Sequence, residues 1–500
     1  MAQPNILLIM ADQLAPQFTG TYGHPVVKTP HLDALAARGR RFDAAYCNSP
    51  LCAPSRASFM SGQLISNIGA WDNAAEFPAT TPTFAHGLAR LGYTTCLSGK
   101  MHFVGPDQLH GFSERVTTDI YPADFAWTPN WASNETRIDK WYHNMGVVRE
   151  SGVAMATYQI DYDDEVAFAA KRRLFDLARD QTQPWCMVAS FIHPHDPYVA
   201  RPEWWDLYVD EDIDLPANPD PATDALTDRL RRGIEADKTA LSDDELRAAR
   251  RAYYANVSYF DSKIGELVKT VEEMGQLDDT IIIVTADHGD MLGERGLWFK
   301  MTFFEHSARV PLVVAGPGVA PGVSSDPCSL LDIAPTLIEL AGGGPETIPT
   351  FEGASLANRL GGEDAPEAEA IGEYCAEMAG APVVMIRRGK WKYIHCDTDP
   401  PQLYDLSADP AELTNLAPDP KHQAMVEAFA AEVTTRWDLA ALRQDVLESQ
   451  NQRFAVHAAM ETTRATSWDW APPYDAANAY VRNHSDWTEA AERFRFPRQG

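Results

Sequence analysis

Two short apolar runs, Ile6-Leu7-Leu8-Ile9-Met10 and Ile281-Ile282-Ile283-Val284-Thr285-Ala286, constrain this chain more than any other feature. Each is too short for an ordinary helix and shows no polar face. Such runs, bounded by turn-forming residues, read as strands buried on both sides, the kind a parallel sheet requires. Cys186–Phe191 and Leu312–Ala315 read the same way. Asp161–Arg179 and Leu241–Met274 carry helical spacing with charged outer faces, and Pro216–Thr227, rich in Pro, Asp and Asn, reads as an exposed loop. This alternation over roughly the first 370 residues predicts an α/β fold, a mostly parallel mixed sheet flanked by helices on both faces.

Five hundred residues exceed what one hydrophobic core usually holds. Gly, Glu, Asp and Pro cluster at Gly361–Pro366, which places a boundary there. The expected division is a catalytic α/β domain over 1–365, a small C-terminal antiparallel-sheet α+β domain over 366–440, and an extension over 441–500 suited to contacts between subunits. Within the second unit, Val383–Arg387 and Trp391–His395 read as strands joined by Arg388-Gly389-Lys390. A net charge of -29 argues against nucleic acid and anionic membranes as partners, because both need basic patches. The N-terminal apolar run lacks a basic flank and is too short for a signal peptide or a membrane span. Seven scattered cysteines without CxxC spacing suggest neither a disulfide framework nor a zinc site. The expected location is cytoplasmic.

Asp12 follows the first apolar run, and Asp287-His288 follow the second. Ligands of open α/β sheets gather at the carboxyl ends of strands, so these groups should meet at one edge. Two carboxylates and an imidazole there suit a hard divalent cation such as Ca2+, Mg2+ or Mn2+. An Asp after a strand also serves simply to cap the next helix. Cys52 lies in Ser49-Pro50-Leu51-Cys52-Ala53-Pro54-Ser55-Arg56-Ala57-Ser58, where the bland alternative is a buried structural thiol. Lys100 and His102 close the run Gly92-Tyr93-Thr94-Thr95-Cys96-Leu97-Ser98-Gly99-Lys100-Met101-His102; two apart, they share a side on a strand or extended loop. The prolines of His193-Pro194-His195-Asp196-Pro197 make that segment rigid. From Tyr121 to His143 the chain is unusually aromatic, with Phe125, Trp127, Trp131, Trp141 and Tyr142. A quaternary ammonium group offers no hydrogen-bond donor, so aromatic faces and a carboxylate must hold it, and this stretch suits that task; core packing is the alternative.

The Cys-x-Pro-x-Arg of Cys52 and Arg56, followed by the Gly92–His102 run, resembles the two signatures of the type I sulfatases of the alkaline phosphatase superfamily. Leu403–Pro410 and Glu412–Leu416 resemble their small C-terminal domain. The resemblance implies that a formylglycine-generating enzyme oxidises Cys52 to formylglycine, whose hydrate is a geminal diol. It implies one divalent cation, Ca2+ first and Mn2+ or Mg2+ next, on Asp12, Gln13, residue 52, Asp287 and His288. Gln13 departs from the Asp that many members carry, which removes one negative charge. Cys52, Arg56, Lys100, His102, His195 and Lys300 match the catalytic and sulfate-holding residues. One diol hydroxyl would attack sulfur, His195 or Lys300 would protonate the leaving alcohol, and His102 would deprotonate the second hydroxyl so that sulfate is expelled.

Gly99–Phe112, Thr118–Phe125, His193–Val199, Gly289–Met301 and Asn73–Glu76 resemble more narrowly the choline sulfatases, as does Arg482-Asn483-His484. That likeness implies choline O-sulfate as substrate. Trp127 and His143 would face its trimethylammonium group, and Glu377 would supply the carboxylate, with Glu373 as the fallback. Asp486, in a tail reaching a neighbouring subunit of a homo-oligomer (dimer or tetramer), would supply a second carboxylate. The rivals are a phosphonate monoester or phosphodiester hydrolase, an arylsulfatase, and a non-catalytic binder of choline esters whose Cys52 stays a thiol.

Overall fold

The computed structural model describes residues 3–133, 143–180, 182–219 and 224–462. Its main sheet has eight strands in the spatial order Gly322–Ser324, Arg40–Phe42, Leu312–Ala315, Thr280–Ala286, Asn5–Asp12, Trp185–Pro194, Thr94–Gly99 and Glu114–Arg115. All run parallel except Leu312–Ala315, which opposes both neighbours. The four apolar runs occupy four adjacent places in this order. Leu8 pairs with Val188 on one side and Ile283 on the other, and all three are buried. Thr94–Gly99 escapes an apolar pattern because its polar side chains bond inward: Ser98 Oγ donates to Val166 O at 3.0 Å and Thr95 Oγ1 to Gly111 O at 3.2 Å.

Both expected long helices form, Tyr158–Arg179 and Asp243–Glu273. Their starts are set by caps: Thr157 accepts from the Ile160 amide, and Ser242 with Glu245 makes a capping box. They pack on each other and on Trp185–Pro194. Cys52–Ser61, Phe84–Arg90 and Ile333–Leu340 pack together as a second helical group. The loop expected over 216–227 needs correction, because Leu226 and Thr227 are buried in the helix Ala225–Gly233. Asp224 caps that helix by accepting from the Thr227 amide at 3.0 Å, so an acidic residue read as loop composition is a helix start.

A second sheet is antiparallel throughout: Glu369–Tyr374, Val383–Arg388, Trp391–Cys396 and Asp399–Asp405. Gly389 turns the central hairpin at φ +53°. The helix Gln423–Arg436 packs on this sheet, with Phe429 stacked on Tyr393 at 5.2 Å. The last described helix, Leu439–Glu461, returns from there to the main sheet's loops. Among the described residues, no helix is long and apolar enough to cross a membrane.

Candidate active site

Strand register brings the chemistry-bearing residues to one edge. Asp12 ends its strand, the Ala11–Ala286 pairing sets Asp287 beside it, and the Gly99–Ser190 pairing places Lys100. The Asp12–Pro194 pairing brings His195 to the same edge. Cys52 opens the helix Cys52–Ser61, and Arg56 lies one turn on, on the same face. The fully buried Arg56 guanidinium clamps the site: Nη2 donates to Asp12 Oδ2 at 3.0 Å, Nε to Asp287 Oδ2 at 2.7 Å and Nη1 to Lys100 O at 2.6 Å. Ligand atoms of Asp12, Cys52, Asp287 and His288 lie within 4.8 Å of one another. Two carboxylates, an imidazole and residue 52 form a donor set that fits a divalent cation. Gln13 Oε1 faces the same region but accepts from Lys300 Nζ at 2.6 Å.

Cys52 Sγ lies 3.2 Å from His288 Nε2 and 3.8 Å from Asp12 Oδ1. Burial, then the Asp12 charge, pushes the thiol up to about 11, so as cysteine it would be a weak nucleophile near neutrality. Burial alone would raise Asp12, but the adjoining cations, Lys100 first and then Arg56, hold it well below the ordinary carboxylate range. Lys100 ion-pairs with Asp12, and its ammonium sits 4.1 Å from the Tyr121 ring centre. Lys300 Nζ also donates to His195 Nε2 at 2.8 Å. Burial and the Lys300 charge keep His195 neutral, which leaves its Nδ1–H to donate to Asp196 O at 2.6 Å.

His102 departs from the extended geometry expected of it. Its φ is +54°, and one carboxylate oxygen of Asp119 accepts from the backbone amides of Met101 and His102, at 3.0 and 2.9 Å, which fixes a tight turn. Lys100 and His102 nevertheless share a side, since both approach the Tyr121 ring. Burial, then Lys100, lowers His102 to about 3, and its ring nitrogens have no hydrogen-bond partner among the described residues.

Several supporting acids went unread in the sequence. Gln13 Nε2 donates to Asp290 Oδ2 at 2.7 Å and to Asp196 Oδ1 at 3.2 Å, and Tyr198 OH donates to Asp290 Oδ2 at 2.8 Å. Asp163 accepts from the amides of Ile192 and His193 and from His193 Nδ1 at 2.7 Å, fixing the turn before His195. Asp290, three residues after Asp287, and Asp196, next to His195, each had a nearby motif to betray them.

The residues expected to hold the rest of a substrate lie near these groups. Trp127 is half-buried, 5.9 Å from the His102 ring and 5.4 Å from Tyr121. His143 is fully buried, 4.7 Å from Phe299 and 5.5 Å from His195, and burial lowers it to about 4. Glu377 is buried and close enough to Lys300 to feel its charge; burial, then Asp72, pushes its carboxyl up to about 8. Its Oε2 accepts no hydrogen bond among the described residues. Glu373, by contrast, is saturated, accepting from Ser66 N at 2.9 Å, Ser66 Oγ at 2.7 Å and Trp437 Nε1 at 2.6 Å. Trp131 is buried, its Nε1 donating to Ala376 O at 2.8 Å, so it braces the pocket. Trp141, Tyr142 and Asp486 lie outside the described residues.

At the carboxyl edge of a mostly parallel sheet stand a buried cysteine, paired acids and flanking lysines, and the sulfatase family model matches residues 4–343. The chain belongs to the sulfatase family and is a sulfatase, a hydrolase of sulfate esters. More narrowly, it is 50% identical over 507 residues to the choline-sulfatase of Rhizobium meliloti, covering 99% of each chain. A model described as the choline sulfatase C terminal matches residues 444–496, and one for the N-sulphoglucosamine sulphohydrolase C terminus matches 293–439. Arylsulfatase K of Danio rerio is 29% identical, covering 83% of this chain and 80% of its own. In fold, the chain is similar to the phosphonate monoester hydrolase of Agrobacterium radiobacter, with a TM-score of 0.68 at 24% identity over 88% of this chain and 96% of that one.

Proposed function

We propose that this sulfatase cleaves choline O-sulfate to choline and sulfate. The observation that carries this is the end-to-end identity to a choline-sulfatase, which continues through the C-terminal region. The pocket supports it: an aromatic face at Trp127 and a buried carboxylate with an unpartnered oxygen at Glu377 suit a cation without hydrogen-bond donors. A phosphonate or aryl ester hydrolase is not favoured, since the likeness to the phosphonate monoester hydrolase is one of fold.

In this proposal Lys100 and Lys300 hold the sulfuryl oxygens and offset charge that grows on them and on the leaving oxygen. Arg56 keeps Asp12 and Asp287 in place through its two ion pairs. Lys300 or His195, joined by the hydrogen bond from the Lys300 ammonium to His195 Nε2, delivers a proton to the departing choline oxygen. His102, neutral and with free ring nitrogens among the described residues, takes the proton whose removal releases sulfate. A divalent cation on Asp12, Gln13, residue 52, Asp287 and His288, taken to be Ca2+ with Mn2+ or Mg2+ as alternatives, would supply Lewis acidity. Formylglycine at position 52, installed by a formylglycine-generating enzyme, would supply an oxygen nucleophile in place of a poor thiol. The enzyme is further proposed to be cytoplasmic and a dimer or tetramer of identical chains.

The test is a substrate panel with purified enzyme. Choline O-sulfate should be turned over with the highest kcat/KM, ahead of a phenyl phosphonate and 4-nitrophenyl sulfate. A phosphonate or aryl ester ranked first would overturn the proposal. Chelation should abolish activity, and re-addition of Ca2+ or Mn2+ should restore it.

A further inference from the structure

The helix Leu439–Glu461 turns one face to the pocket. Arg443, Val446, Gln450 and Arg453 recur at spacings of three and four, and the last three are buried. Arg443 Nε donates to Gly380 O at 3.1 Å, and Gln450 Oε1 accepts from the Trp131 amide at 2.9 Å. Arg453 makes a two-pronged ion pair with the fully buried Asp72, Nη1 to Oδ1 at 2.6 Å and Nη2 to Oδ2 at 2.8 Å, and Nη1 also donates to Thr128 Oγ1 at 3.2 Å. One helix face thus touches the two segments that carry Trp127 and Glu377: the loop with Trp127, Thr128 and Trp131, and the segment with Ala376, Glu377 and Gly380.

We infer that Arg453 is a positioning and specificity-determining residue: by neutralising Asp72 it lets Glu377 carry the pocket's working negative charge toward the substrate's ammonium group. The inference rests on the choline O-sulfate proposal and deepens it. Glu377 is faced by Asp72 from the loop after Ile65–Ile68, by Lys300, by Arg453 from the C-terminal helix, and by Tyr374 at the end of the preceding strand, whose hydroxyl donates to the Glu377 carbonyl. After burial, Asp72 is the strongest influence that raises the Glu377 carboxyl, and Lys300 and Arg453 both lower it. An unpaired Asp72 would be a buried charge without a partner, held close to a second carboxylate. Glu377 would then take up a proton at higher pH and lose its attraction for the cation.

The test compares choline O-sulfate with 3,3-dimethylbutyl sulfate, its isostere with a neutral tail, in which carbon replaces nitrogen and only the sulfate charge remains. Arg453→Met should lower kcat/KM for choline O-sulfate about tenfold at pH 7, mainly through KM, and change the neutral ester less than about threefold. The rise of kcat/KM with pH should move to higher pH. Asp72→Asn, which leaves Arg453 unpaired, should move it to lower pH. Arg453→Lys should restore part of the loss, and the double variant Asp72→Asn/Arg453→Met should recover to within about threefold of wild type, because the stranded charge is gone. Should Arg453→Met not fold, the opposite pH shift in Asp72→Asn and the recovery in the double variant carry the test. Wild-type enzyme that does not prefer choline O-sulfate over its isostere would overturn the substrate proposal and this inference with it. Wild-type preference combined with equal losses on both esters, an unmoved pH limb, or a double variant no better than Arg453→Met would overturn the inference alone.

Discussion

The two ends of the site are built differently. At the proposed sulfate end, Asp12, Cys52, Arg56, Lys100, Asp287, His288 and Lys300 are all buried; all but Lys300 lie at strand ends or in the first turns of a helix, and ion pairs from Arg56 and Lys100 lock Asp12 and Asp287 in place. At the proposed cation end, Trp127, His143 and Glu377 come from three separate segments, and a helix some three hundred residues after Trp127 braces the first and last of them. Charge on the sulfuryl group and the leaving oxygen changes during reaction, so that end must be rigid and prearranged. The ammonium charge does not change, so its contacts bind substrate and transition state alike and belong in KM. Variants at the first end should cut kcat for any sulfate ester; variants at the second should raise KM for the cationic ester alone.

Replacing Cys52 gives the sharpest contrast. Cys52→Ala should lose about 10,000-fold or more in kcat on choline O-sulfate and on 3,3-dimethylbutyl sulfate equally. Intact-mass analysis of the wild-type chain should show a deficit of about 18 Da, the change from cysteine to formylglycine. An unmodified, fully active wild-type chain would remove the oxygen nucleophile from the mechanism. Next in size, Lys300→Ala should cost about 100- to 1,000-fold in kcat on both esters, since it deletes both a cation near sulfur and the donor to His195. A loss confined to choline O-sulfate would move Lys300 to the other end of the comparison.

The same division explains what was legible in the sequence. The central strands declared themselves because burial on both faces leaves no polar residue to confuse the pattern, and Asp12 and Asp287-His288 followed from what lies just past two of them, whereas Cys52, Arg56, Lys100 and Lys300 rested on the family resemblance. Thr94–Gly99 did not, because Thr95 and Ser98 satisfy their hydroxyls internally. His102 was read as extended because nothing in Lys-Met-His reports Asp119, seventeen residues on, whose carboxylate folds the turn. Glu373 and Glu377 were inseparable as letters; only the bonds from Ser66 and Trp437 show that Glu373 is already occupied. Contacts between distant segments, such as Arg453 with Asp72, leave no local trace.

Glu377 probes the cation end through pH. With its carboxyl pushed up to about 8, it is mostly protonated and neutral below that pH and charged above it. Wild-type kcat/KM for choline O-sulfate should therefore climb from about pH 6, pass half its maximum near about pH 8 and level above about pH 9, while the neutral isostere follows a flatter profile. Glu377→Gln should abolish that climb and cost about 30-fold at pH 8 on the cationic ester. An intact climb in Glu377→Gln would assign the ionisation to another group.

Trp127 is expected to show the smallest effect, and its size follows from its exposure. A fully desolvated cation–π contact is worth about 2 kcal/mol and an exposed one about 0.5–1 kcal/mol. Trp127 is half-buried, its other neighbours being the His102 and Tyr121 rings, so about 1.4 kcal/mol is the reasonable middle, or about tenfold in KM for choline O-sulfate. Trp127→Phe should retain most of the affinity, because an aromatic face remains, and Trp127→Leu should not, although its side chain is apolar too. With 3,3-dimethylbutyl sulfate the three variants should lie within about threefold of one another, since shape and apolar contact are all that ester uses. Equal losses on both esters would mean that Trp127 supports the pocket by packing, and the negative charge of Glu377 would then be the sole discriminator of the cation among the described residues.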